Sequence, residues 1–339
     1  MTLKFSALAI GLGLAFCAPA YADNANASIS QASSNNAVSL DQQGASTITL
    51  NQTGGDGNGV DARQMGAVAA RIDQNGSANR ASMNQAGATN SLAITQVGQN
   101  QQTTLTQENG NNQWLNIWQE NGGNNTANAW EFDGNSSWTN LHQDGWSNGA
   151  YATQGRNNNS VIYVDQRGTS NTATVAQYDG TNNSISLSQF GNGHNATVLQ
   201  QGGANNTIGL SQDMGEGNGA SMWQNNSTNT GVIAVQHGNG NMVLTRQDMV
   251  DASYAGVNQD GSQNYGEINQ AHGSGNNASL TQNNGGNNRG VISQDGYKHN
   301  ATMTQSGWGN TAYVNQAGAG QVANVGQVGN SNYVNLAQH

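Results

Sequence analysis

Apolar and polar positions follow one frame along the chain from Gln31 to Gln338. A Gln recurs every 10–12 residues, beginning 31, 42, 52, 64, with Glu131 at the middle of the one double gap. The frame has 28 slots, and 27 of them hold Gln. The residues four and two before each slot are apolar. Ala, Val, Ile, Leu or Met fills 51 of these 56 sites; Thr103, Thr139, Thr245, Gly266 and Gly290 fill the rest. Six before the slot stands Asn in 16 units and Ser in four. Gly often follows two after it, as in Gly44, Gly168, Gly261 and Gly329. The unit is Asn/Ser, three more alternating inward sites ending on Gln, then a turn of four or five residues. Period two puts the Asn, the two apolar residues and the Gln on one face of a strand. The Gly/Asn/Asp-rich segment between strands is a turn whose residues tolerate positive φ.

One strand per unit cannot close a coil, but two strands and two turns can. The pattern therefore predicts an all-β fold: a cross-β, amyloid-type β-solenoid of about 14 two-stranded coils, one continuous domain over 23–339 with about 28 strand–turn units. At one strand spacing per coil it rises roughly 65–70 Å. No Phe, Trp or Tyr falls on an inward apolar site, so the interior is narrow and aliphatic. Every Asp, Glu, Lys and Arg after residue 22 is outward or in a turn, except Glu131. Inward amides are costly unless paired. Stacked on their equivalents in the next coil, they form Asn/Gln ladders. The 107–143 stretch, with 12-residue spacings, Glu131 and clustered Trp, is the expected place for a local distortion.

Composition fits this reading. Asn, Gln and Gly make up 135 of 339 residues, charged residues 8%, and there is one Pro. That excludes an ordinary globular core, a highly charged disordered chain and collagen. At the N-terminus Lys4, the apolar run 5–17 and Ala20-Tyr21-Ala22 predict a secretory signal peptide over residues 1–22, cleaved after Ala22. Bulky Phe16 argues against a lipid anchor at Cys17. Cys17 and Pro19 leave with the signal, so the exported chain has no disulfide and every backbone N–H can donate. No later segment is apolar enough for a transmembrane anchor. The net charge of −10 argues against a nucleic-acid partner.

The repeat resembles the curlin repeat of bacterial curli amyloid fibre subunits, in which a Ser is followed by Gln, Asn and Gln at fixed spacing. It stands unbroken as Ser137-Gln143-Asn148-Gln154, Ser160-Gln166-Asn171-Gln177 and Ser253-Gln259-Asn264-Gln270. Ser46-Gln52-Asn58-Gln64 has one extra turn residue. Elsewhere Asn replaces Ser, as in Asn276-Gln282-Asn288-Gln294 and Asn332-Gln338. The resemblance implies a secreted, extracellular cell-surface fibre (fimbrium) in biofilm matrix, built by self-polymerisation. It also implies a nucleator subunit and an outer-membrane secretion pore with chaperones as partners. The acidic balance is more like the major subunit than the basic nucleating one. The array is much longer than is usual in that family. Its first unit begins at Ala25, where the family carries a pore-targeting segment.

The end units explain why such a chain would polymerise. Asn332 to Gln338 and Ala25 to Gln31 fit the motif with no blocking residue. Open strand edges template pairing, and a head-to-tail contact propagates. Outward Asp61, Arg63, Arg71, Asp73, Arg246 and Glu267 would oppose sideways clumping.

Other chemistry is weaker. Gly54 to Gly59 resembles a calcium-binding turn, but its Asp does not recur in phase. The six His have no metal-ligand spacing, and His194 and His299 stand in ladder Asn positions. There is no Cys nucleophile, no nucleophile elbow and no carboxylate pair, so neither an enzyme nor a cofactor is expected. Glu131 reads as a tolerated defect, protonated or hydrogen-bonded. Trp114, Trp118, Trp130 and Trp138 are candidates for a surface contact with polysaccharide, protein or a neighbouring fibril. The alternative function is a monomeric solenoid adhesin or ice-binding surface protein; outward Thr-x-Thr pairs occur at Thr47/Thr49, Thr172/Thr174 and Thr302/Thr304.

Overall fold

The computed structural model describes residues 25–339, so the expected signal peptide and its cleavage point after Ala22 lie outside the described residues. These carry 26 strands, from Asn26–Gln31 to Tyr333–Gln338, and no helix. Two strands, Gly59–Ser77 and Arg80–Gln99, each contain two sequence units and round a corner unbroken. The 26 strands thus hold the 28 units. Stacked parallel coils form a β-solenoid of about 14 turns. The chain divides into two compact units, one ending at Ser170 and one running from Asn171 to His339.

In the first unit each strand pairs in parallel with the strand one coil further on. Ala27, Ile29 and Gln31 face Ile48, Leu50 and Gln52. Leu115, Ile117 and Gln119 face Thr139, Leu141 and Gln143. The second unit repeats the arrangement: Ile185, Leu187 and Gln189 face Ile208, Leu210 and Gln212. Like stacks on like, so a period-two strand keeps all its apolar residues on one side of every rung. The strand Ser184–Asn192 alternates buried Ile185, Leu187 and Gln189 with exposed or half-exposed Ser184, Ser186 and Ser188.

The 107–143 stretch is not distorted. Thr103, Leu105 and Gln107 lie in register with Ala127, Ala129 and Glu131, and these with Ala150, Ala152 and Gln154. The register shift there, between Glu120 and Gly123, lies past the strand's inward sites, at a corner, and shifts of the same kind occur beside Gly191 and Gly261. The inward glycines have a packing reason. A Cβ at Gly266 would lie 3.0 Å from Val257, and both Gly266 and Gly290 leave room for Leu280.

The turns share one device. Except before Ser46, the residue preceding the strand-opening Asn or Ser takes a left-handed φ, as at Asn35 (58°), Ser147 (58°), Asn205 (57°) and Ser331 (57°). Its N–H donates to a carbonyl one coil back: Ser147 to Gly123 at 2.9 Å, Asn205 to Thr181 at 3.0 Å. The turns therefore stack as regularly as the strands. Among the described residues no helix is long and apolar enough to cross a membrane.

Candidate functional site

The candidate site is the set of inward ladders. Along each column a slot Gln donates from Nε2 to Oε1 of the slot Gln one coil on, while Gln107 donates to Glu131. In the first unit one column runs Gln52, Gln74, Gln96, Gln119, Gln143, Gln166, with spacings of 2.8–3.0 Å. In the second unit one column runs Gln177, Gln200, Gln224, Gln247, Gln270, Gln294, Gln316, Gln338, and the other Gln189, Gln212, Gln236, Gln259, Gln282, Gln305, Gln327. The second amide hydrogen has a use that the sequence did not suggest. It reaches across the core to the carbonyl opening a strand of the facing sheet: Gln143 to Thr126 (3.1 Å), Gln166 to Gly149 (3.0 Å), Gln259 to Met242 (3.0 Å). A Gln bonded in both ways ties coil to coil and sheet to sheet.

The Asn column holds the expected side-chain ladder in part, from Asn332 to Asn310, Asn310 to Asn288 and Asn288 to Asn264 at 2.9–3.1 Å, and adds main-chain bonds to it. The Asn Oδ1 accepts the backbone N–H of the next coil's equivalent residue. Asn125 takes that of Asn148 (2.8 Å), Asn171 that of His194, Asn264 that of Asn288, Asn276 that of His299 and Asn310 that of Asn332. Nδ2 donates to a corner glycine carbonyl, as from Asn148 to Gly168 (3.0 Å), Asn171 to Gly191 (2.9 Å), Asn276 to Gly296 (2.8 Å) and Asn288 to Gly307 (2.8 Å). Ser can stand in: the Ser253 Oγ accepts the Asn276 N–H at 3.1 Å. Ser137 and Ser160 are buried and donate to the backbone carbonyls of Asn157 and Asn158. Inward Thr also joins the network. Thr103 donates to Gln119 (3.0 Å) and Thr139 to Gln154 (3.1 Å).

Two ladder positions are ionisable in an informative way. Glu131 occupies a Gln slot, fully buried, and accepts from Gln107 Nε2 at 2.9 Å. Its other oxygen, Oε1, is buried with no hydrogen-bond partner. Burial pushes its carboxyl up to about 8, with the neighbouring Thr139 hydroxyl and Gln107 amide pulling it down. His194 occupies an Asn slot. Its Nδ1 accepts the Asn218 N–H (3.2 Å) and its Nε2 donates to the Phe190 carbonyl (3.3 Å), so the ring bonds as the neutral form. Burial lowers its pKa from the usual value, with the Phe190 carbonyl opposing. A lowered folded pKa gives stability that is present above about pH 6.5 and lost as the pH falls. His194→Asn is therefore expected to flatten the loss of stability between pH 7 and 5, read from denaturant midpoints. An unchanged slope would refute it.

The outward face is less uniform. Trp114 and Trp138 stack with ring centroids 5.3 Å apart and planes at 12°, and Trp118 lies 5.2 Å from the His142 ring. These three share one stack of strands. Trp130 lies in the other stack, against Phe132 at 4.8 Å, so the four Trp do not form one patch. Beside Trp118, His142 is held between Asp165 (2.8 Å) and Glu120 (3.2 Å), and Arg167 also binds Asp165 at 3.1 Å. The bond to Asp165 raises the His142 pKa most. Burial works against charge on Asp165, but His142 and Arg167 outweigh it and hold that carboxyl low. Asp165 lies on the outward face, as expected, yet is buried because these partners enclose it. Among the described residues no group of three His, Cys, Asp or Glu is arranged to hold a metal.

Parallel coils, a narrow aliphatic interior and paired amide ladders define a structural repeat solenoid. Residues 69–98, 157–191, 180–213 and 285–318 each match the family model of the curlin associated repeat. These four matches along the chain support a curlin-family protein. No curated protein matches it.

Proposed function

We propose that the chain is a secreted structural subunit that polymerises head-to-tail into extracellular, curli-like amyloid fibres serving biofilm matrix, adhesion and aggregation. Curlin-family proteins are extracellular fibre subunits. The observation that carries the reading is a match between two rungs. Ala37–Gln43 pairs only with the coil after it, and Tyr333–Gln338 only with the coil before it, among the described residues. Their inward residues are the same: Asn36, Val38, Leu40, Gln42 and Asn332, Val334, Leu336, Gln338. The turns before them also agree, with Asn35 and Ser331 both left-handed. The second rung of one copy can therefore stack on the last rung of another with like on like. Such an open edge is a template for pairing. Charges on the outward face, such as the Arg71–Asp73 and Arg246–Asp248 pairs, disfavour sideways clumping. The reading assigns no catalytic role. A nucleating subunit, a secretion pore and its chaperones are partners proposed from the family.

The test is to incubate purified chain and follow thioflavin binding and electron microscopy, with Leu336→Lys alongside. Wild type is expected to form fibres that its own fragments seed, with a meridional reflection at ~4.7 Å. Leu336→Lys puts a charge on the inward face of the last rung and is expected to slow elongation at least tenfold while the monomer keeps its strand content. A wild-type monomer stable for days would overturn the proposal in favour of a monomeric adhesin or ice-binding protein.

A further inference from the structure

The Gln columns have a direction: every rung donates an amide hydrogen forward and accepts one from behind. At position 131 the forward donor is missing. Gln107 donates to Glu131 Oε2, as to any slot residue. The next slot is Gln154, in register with Glu131 and fully buried. Its Oε1 is an acceptor, already bonded by the Thr139 hydroxyl. A carboxylate at 131 would turn acceptor toward acceptor inside the core. A carboxylic acid would not, since its O–H occupies the place of the missing amide N–H.

We propose that Glu131 is a proton-operated latch in the first unit: the ladder closes through this rung only when the carboxyl carries a proton, donated from Oε1 toward the Gln154–Thr139 oxygens. The orphaned Oε1 is the structural mark of that proton. Alone among the slots, this one can be opened by losing a hydrogen. The surroundings leave the acid no other counterpart. On its own strand Ala127 and Ala129 share its face, and Trp130 and Phe132 point outward. The strands stacked on it turn Thr103, Leu105, Gln107 and Ala150, Ala152, Gln154 inward, with Glu108 and Tyr151 outward. The facing strands turn Leu115, Ile117, Gln119 and Thr139, Leu141, Gln143 inward. Their ionisable groups Glu120, His142 and Asp144 are on the outer face, as are Asp133 and Arg156 in the flanking turns. No cation on these elements faces the carboxyl.

The latch is a property of the fold and holds for the monomer and the fibre alike. Folding of the first unit takes up one proton. A raised folded pKa places the linkage between the ordinary carboxyl range and about pH 8, with stability highest at the acid side and lost as the pH rises. The test compares the full chain with Glu131→Gln, which completes the column. Between pH 5 and 8 the wild-type folding constant of this unit should fall by up to about tenfold per pH unit relative to the variant, then run parallel above that. Glu131→Gln should be the more stable at pH 8. Difference infrared spectra of folded wild type should show a protonated-carboxyl C=O band at pH 6 that disappears on going to pH 9 and is missing from the variant. Parallel profiles for the two proteins, or a carboxylate signal from position 131 at pH 6, would overturn the proposal. The infrared readout needs no variant to fold, since the wild type carries the band itself.

Discussion

Gln259→Ala is expected to destabilise the second unit by about 3–9 kcal/mol. The side chain makes three hydrogen bonds in a dry interior. It accepts from Gln236 (2.9 Å), donates to Gln282 (2.8 Å) and donates to the Met242 carbonyl (3.0 Å). Alanine leaves a donor hydrogen and two acceptors buried without partners, at about 1–3 kcal/mol each. The effect spreads because each partner belongs to a different rung. Gln201→Ala is the control. Gln201 is exposed one residue after the slot, so its loss should stay within about 0.5 kcal/mol. Denaturant midpoints of the full chain, with hydrogen exchange of the amides from Tyr254 to Gly286, check both. Equal effects would mean that the column contributes no more than surface amides do.

Gly261→Ala should be comparably severe for a different reason. Gly261 has φ +136°, and a Cβ there would overlap the Gly285 carbonyl oxygen in the next coil. The corner glycines are stacked so closely that backbone meets backbone. Left-handed strain costs about 1–3 kcal/mol, and forcing atoms into a filled space costs a similar amount. The sum is about 2–6 kcal/mol. Gly320→Ala separates the two causes. Gly320 has φ +72° with nothing within 4 Å of the new Cβ, so only the strain remains, at about 1 kcal/mol. If both substitutions cost the same, close stacking at the corners is not what selects glycine. The readout is again the denaturant midpoint.

The inward frame could be read from the sequence because it repeats with period two and never admits an aromatic ring. The Gln column followed from it, since a buried amide needs a partner and the next coil places an identical amide within reach. The Asn column was harder. Asn has one methylene fewer than Gln, and at the strand start it lies beside the turn. The side chain therefore reaches the next coil's backbone N–H and the corner carbonyl, as Asn148 does with Gly168. Spacing alone cannot tell an amide that bonds its twin from one that bonds main chain. The outward face was read less well because its neighbours are one coil apart, not adjacent in sequence. Trp114 and Trp138, 24 residues apart, stack; Trp118 and Trp130, 12 apart, fall in different stacks. Glu120, His142 and Asp165 meet for the same reason, at steps of 22 and 23 residues. Reading outward positions a coil at a time would have found them.

The forward-donating amides carry a last consequence. Side-chain dipoles that all point along one axis add instead of cancelling. In each unit the Gln columns run Nε2 to Oε1 in chain order without reversal. A stack built this way has an arrow. One of its tips offers hydrogens and the other offers lone pairs. Two equal tips cannot be joined without setting donor against donor or acceptor against acceptor. A filament of such subunits would be vectorial, with tips that bind the next subunit through different chemistry and extend at different speeds.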